Sequence, residues 1–135
     1  MYVERAAVEA LIPAPDLIDA LDDDRDGNED DGIFDQVVNL ASNAVDAFLA
    51  GLFATPFADP APAVVREAAL IFVCEAIYSR RPAGDRNPFK ARADGWRQRL
   101  KQIGEGAAPL EAGQVRQFTP GAAVTEPASI DGNMR

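Results

Sequence analysis

The chain is 135 residues long, has a formal net charge of -9, and contains no histidine and a single cysteine, Cys74. Without histidine it lacks the commonest general base, the usual zinc ligand and the usual pH switch, and one thiol excludes both a disulfide framework and a cysteine-rich metal site. The length suits one domain, and the acidic balance argues against holding duplex DNA through the overall field.

The opening stretch MYVERAAVEALI carries charges and no continuous apolar run, so neither a signal peptide nor an anchor is expected, and the protein should be cytoplasmic where it is made. Val3, Ala7, Ala10 and Leu11 fall at helical spacing, which predicts a first short helix over residues 3–12, stopped by Pro13 and Pro15. Asp16 is then placed to cap a second short helix over 17–21, with Leu17, Ile18 and Leu21 on one face.

The loop that follows, DDDRDGNEDDG from Asp22 to Gly32, has partial calcium-loop spacing. Read from Asp22, the series Asp22, Asp24, Asp26, Gly27 fits the first half of D-x-D-x-D-G, but Ile33 stands where a bidentate glutamate belongs and Glu29 where an aliphatic belongs. Read from Asp24, residues Asp24, Asp26, Asn28 and Asp35 fall at ligand positions, and the turn glycine is missing. So many neighbouring carboxylates repel one another unless a cation or a basic partner is near. Two readings stay open: weak divalent binding, with Ca²⁺ the candidate ion, or a solvated acidic turn.

Ile33, Val37, Leu40, Ala41, Ala44, Val45, Phe48, Leu49 and Leu52 trace one broad apolar face and predict a long amphipathic helix over 33–52. Prolines 56, 60 and 62 enforce a loop after it, and Pro62 suits the first turn of the next helix. That helix, VVREAALIFVCEAIY over 64–78, is apolar almost all the way round, with Glu75 the only polar residue between Ala68 and Ile77. A helix of this kind must be wrapped by others, and its apolar run is too short to span a bilayer. Fully burying Leu70, Ile71, Phe72, Val73 and Ile77 is worth on the order of 10 kcal/mol before conformational entropy is counted. Cys74, on the same segment, reads as an inert buried thiol.

Arg80, Arg81, Pro82 and Gly84 end the central helix. Asn87 can cap a last helix with Pro88 at its first position, carrying Phe89, Ala93, Trp96, Leu100 and Ile103 inward. Lys90, Arg97 and Lys101 line one flank of it and Arg92 and Arg99 another, and Gly95 is a candidate for close helix packing. After Gly104 only Val115, Phe118, Val124 and Ile130 are larger apolar groups, so residues 105–135 are expected to be disordered or to order against a neighbouring subunit. The fold class is therefore all-α, about five helices around a central apolar helix, with a helical domain over 1–104 and a tail over 105–135.

Nothing in this pattern suggests catalysis: no nucleophile–base pair is available, and no glycine-rich phosphate loop follows a strand. The charges are polarised, acids at 16–35 and bases at 80–101. Arg80, Arg81, Arg86, Lys90, Arg92, Arg97, Arg99 and Lys101, with Asp30 and Asp31, are candidates for a contact between copies that joins one charge block to the other.

Met1-Tyr2 before a short helix, the turn DRDGNEDDGIFD, the helix end DAFLAGLFATPF, the apolar helix ending AIYSRR and a closing helix with Trp96 together resemble the Mu gp36-like family of tailed-phage and prophage proteins. That family is similar to the small helical head-tail connectors. The resemblance covers about residues 1–113. Glu29 and Asp30 are extra acids in the turn, and the tail from Gln114 has no counterpart. It implies a structural, non-enzymatic adaptor of the virion neck, built in the host cytoplasm without any required cofactor. Such an adaptor forms a ring of roughly twelve copies beneath the portal protein, contacts a tail or head-completion protein, and lets DNA pass without sequence-specific binding or any membrane contact. The alternative that the residues allow is a calcium-binding helical module using the loop over 22–35.

Overall fold

The computed structural model describes residues 2–81 and 86–110. Their order is α1 (Arg5–Glu9), α2 (Ala14–Ala20), α3 (Ile33–Leu49), α4 (Ala63–Ser79) and α5 (Lys90–Gly104), with no strand among the described residues. Helix α4 packs against α1, α2, α3 and α5, and α5 also packs along α3. Its buried residues, Val65, Ala68, Ala69, Ile71, Phe72, Val73, Cys74 and Ile77, point in every direction around the axis. An all-round apolar helix has become the hub of the bundle. Burial pushes the Cys74 thiol up to about 12, so at neutral pH it is a protonated core residue.

Several local expectations are corrected. Helix α2 starts earlier than 17, at Ala14, because Pro15 lacks an N–H and sits without cost where helical N–H groups have no partner. Asp16 therefore lies inside the first turn instead of capping it, and its carboxylate accepts from the Tyr78 hydroxyl at 3.2 Å. Helix α5 starts at Lys90 rather than at Pro88. Asn87 closes the preceding turn, its Oδ1 accepting the Phe89 N–H at 3.0 Å while its Nδ2 donates to the Glu75 carbonyl at 2.7 Å.

In α3 the buried stripe is Val37, Val38, Ala41, Ser42, Val45 and Leu49, so the buried face is rotated from the one the periodicity suggests. Leu40 is 67% exposed, because it stands at the rim of a groove left open between α3 and α4. Trp96 is half-buried at the edge of the core instead of inside it. Gly95 is exposed and a Cβ there would meet nothing, so it is not a packing glycine. Gly104 is: a Cβ there would come within 2.0 Å of the Phe48 carbonyl oxygen.

Tyr2 ties the N-terminus to the bundle. Its buried hydroxyl donates to Asp46 of α3 at 2.7 Å and accepts the Phe57 N–H at 2.8 Å, bracing the loop between α3 and α4. Burial first, then the Asp46 hydrogen bond, pushes the phenol up to about 12. The folded state holds this proton more tightly than the unfolded chain, so its contribution is complete below pH 10 and is lost between about pH 10 and 12. Tyr2→Phe leaves the Phe57 N–H without its acceptor and should cost about 1–3 kcal/mol in urea denaturation at pH 7. The difference between parent and variant should shrink above pH 10; a constant difference would refute this account.

The chain remains packed past Gly104 as far as Leu110, whose side chain is buried. Met1, Pro82, Gly84 and Asp85, and residues 111–135 with Val115, Phe118, Val124 and Ile130, lie outside the described residues. No helix among the described residues is long and apolar enough to cross a membrane.

Candidate functional site

Two charged regions stand out, and the fold links them in part. Arg80, the residue capping α4, donates to the Ala20 carbonyl at 3.0 Å and to the Asp23 carboxylate at 2.6 Å. Arg81 lies 3.3 Å from Asp16 and 3.6 Å from Asp19, with its guanidinium over the Tyr78 ring. Cations at the C-terminal end of α4 complement its dipole and hold α2 and the start of the acidic loop against it.

On α5, Arg97 forks onto Glu75 and also reaches Asp94 at 2.7 Å, and Lys90 meets Asp94 at 3.1 Å. Glu75, the only polar residue of the central helix between Ala68 and Ile77, is thus explained by a partner on the next helix. Arg80, Arg81, Lys90 and Arg97, expected at a subunit interface, are engaged within the chain. Arg86, Arg92, Arg99 and Lys101 are exposed and have no ion pair among the described residues. Arg92 lies over Phe89 at 5.5 Å and Arg99 over Trp96 at 5.0 Å.

The acidic loop is a tight turn satisfied mostly by its own carboxylates. Asp22 accepts from the Gly27 N–H at 2.8 Å and the Asp26 N–H at 3.2 Å, and Asp26 accepts from the Asn28 N–H at 2.9 Å. Gly27 at φ 88° makes the reversal that these bonds require. Asp30 folds back to accept the Asp23 N–H at 2.9 Å. Carboxylate oxygens of Asp22, Asp24, Asp26 and Asp30 lie within 4.8 Å of one another. Asp22, Asp24 and Asp26 come together as the spacing suggests, and the fourth member is Asp30 rather than Asn28 or Asp35. Asn28 contributes its N–H to the turn, and Asp35 sits in the first turn of α3. Asp30 was findable: counting from Asp22 it is the ninth position, where calcium loops place a ligand.

Crowding shifts protonation here. The hydrogen bond shared with Asp22 pushes Asp24 up to about 6. For Asp22, desolvation pulls upward, yet the bonds from Gly27, Asp24 and Asp26 outweigh it and hold the carboxyl below its ordinary value. Below about pH 6 the pair therefore holds a proton that a bound cation would have to displace.

A cleft of about 440 Å³ opens beside the loop, between the chain start and α3. Glu4, Glu29, Asp31 and Asp35 line it over Val3 and Phe34. Its one base, Arg5, forks onto Glu29, meets Glu9 at 3.1 Å and lies over Phe34 at 5.0 Å. Asp31 thus faces this cleft, whereas Asp30 belongs to the carboxylate cluster. Among the described residues no nucleophile–base pair is assembled in any cleft.

The sequence model of the family described as Bacteriophage Mu, Gp36 matches residues 2–126, so the stretch from Gln114, expected to have no counterpart, has one as far as residue 126. No curated protein matches the chain.

Proposed function

Since the chain belongs to the Bacteriophage Mu, Gp36 family, we propose that it is a non-catalytic head-tail connector of a tailed phage or phage-derived particle. The match over nearly the whole chain carries this reading. Copies assemble as a ring under the portal, in the neck of the virion, and offer their far side to a tail or head-completion protein. DNA passes through the ring without sequence-specific contact, and a net charge of -9 keeps the duplex from sticking. The test is to mix the protein with the portal encoded in the same gene cluster and image the pulled-down complex by negative stain. A ring added to the portal is expected, and a bare portal would overturn the reading.

A second reading, a calcium-responsive helical module, is favoured by one observation, the convergence of Asp22, Asp24, Asp26 and Asp30. Because Ile33 stands at the twelfth position, the loop offers only the first part of a calcium cage, and affinity in the millimolar range is expected. Ca²⁺ must displace the proton on Asp24, so affinity should rise as pH climbs through about 6. Calorimetric titration at pH 5 and pH 7 checks both. Micromolar binding with a change in helicity would favour the module over the connector.

A further inference from the structure

We propose that the contact between neighbouring copies is made by the Arg92–Trp96–Arg99 edge of α5 seated in the acidic cleft of the next copy, a proposal that rests on the ring reading above. The block of bases at 80–101 divides into two sets. Arg80, Arg81 and Arg97 pair with acids on other elements and help hold the bundle together, and Lys90 pairs with Asp94 one turn along α5. Arg92 and Arg99 have none among the described residues, and each guanidinium lies over a ring, that of Phe89 just before α5 and that of Trp96 within it. Stacking fixes the plane of a guanidinium and leaves its N–H edges free, so less rotamer freedom is lost when a carboxylate arrives. Seven residues apart, the two cations stand about 10 Å from each other along α5, with half-buried Trp96 between them.

The cleft has the opposite chemistry. Glu4, Asp31 and Asp35 are exposed there and have no basic partner among the described residues. Val3 and Phe34 line the same cleft, with the Arg5 guanidinium over one face of the Phe34 ring. The Asp22–Asp30 cluster is the poorer partner, because its carboxylates already accept the N–H groups of their own turn. Edge and cleft belong to different parts of one folded domain, α5 against the chain start and α3, so their union is head-to-tail, and such a contact closes into a ring when its rotation permits. The occupant is therefore a second copy. Nucleic acid would have to approach against the net charge.

Two variants test this. R92E/R99E makes the edge acidic, and E4K/D31K makes the cleft basic; all four residues are exposed, so each variant should keep the parent's helicity and Tm. Alone, each places like charges at every contact, and ring yield on the portal should fall by roughly tenfold. Mixed in equal amounts, the acidic edge of one meets the basic cleft of the other and the reverse, so rings should return to near the parent's yield. Both variants remain net acidic, so a general attraction cannot produce the rescue. Undiminished rings from either variant alone, or no rescue on mixing, would overturn the proposed contact and leave the connector reading intact. If the parent itself forms no ring, that reading fails, and sedimentation of the two variants at low salt decides the contact: association only in the mixture supports it, and none refutes it. Retention of the parent on duplex DNA that is lost in R92E/R99E, with association unchanged, would assign the edge to nucleic acid instead.

Discussion

Gly104→Ala should lower the stability of the protein by about 3 kcal/mol, the upper end of the cost of overpacking a close contact. The added methyl would stand 2.0 Å from the Phe48 carbonyl oxygen and 3.2 Å from its carbon. Both are backbone atoms of α3, and no side chain can rotate away to make room. Relief requires the end of α5 to lift from α3, which loosens Leu100, Ile103 and Leu110 from the core. Gly95→Ala, on the same helix, should have the opposite sign and add up to about 1 kcal/mol, because its Cβ meets nothing and alanine is the better helix former. Urea denaturation of the two variants beside the parent checks both. If Gly104→Ala were as stable as the parent, α5 would not approach α3 as closely as described.

The two glycines also show what the sequence could carry and what it could not. Both interrupt the same amphipathic pattern, and nothing local says which will meet another helix. That depends on how α5 lies across α3, a tertiary fact. The same holds for α3, where an apolar stripe fixes the breadth of the buried face better than its centre. The expected stripe takes Leu40 inward and passes over Val38, whereas the packed bundle buries Val38 and leaves Leu40 at the rim of the groove. By contrast, the composition of α4 left little choice. A helix whose only polar residue between Ala68 and Ile77 is Glu75 can only be central, and it is.

The charged surface was legible as two blocks and not as pairs. Arg80 and Asp23 are 57 residues apart, and nothing in either neighbourhood announces the other. The bases of the 80–101 block accordingly divide into those with an acid partner in the chain and those with none among the described residues. Helical spacing already sets Arg97, with Lys90 and Lys101, on a different flank from Arg92 and Arg99. In the structure Arg97 is forked onto Glu75 and Arg99 lies over Trp96. The loop was more legible, since loop spacing is local: three of its four converging carboxylates follow from D-x-D-x-D.

Arg97→Leu should cost about 2–3 kcal/mol, and Glu75→Leu combined with it should recover most of that loss. The Glu75 side chain is only 15% exposed, so its charge is held off water and depends on Arg97, which is itself 41% exposed. Losing one partner of a fully buried pair costs about 3–5 kcal/mol, and the access of water to Arg97 places this pair below that range. Replacing both by leucine removes the unpaired carboxylate and adds apolar area where α4 and α5 meet, beside Phe72, over which Arg97 now lies at 5.2 Å. The double variant thus separates the two parts of the Arg97 effect, the stranded charge and the lost packing. Equilibrium denaturation of parent, both single variants and the double variant gives the coupling directly. A double variant no more stable than Arg97→Leu would mean that Arg97 acts through packing over Phe72 alone. It would also mean that Glu75, despite its place in the central helix, is solvated well enough to stand without a partner.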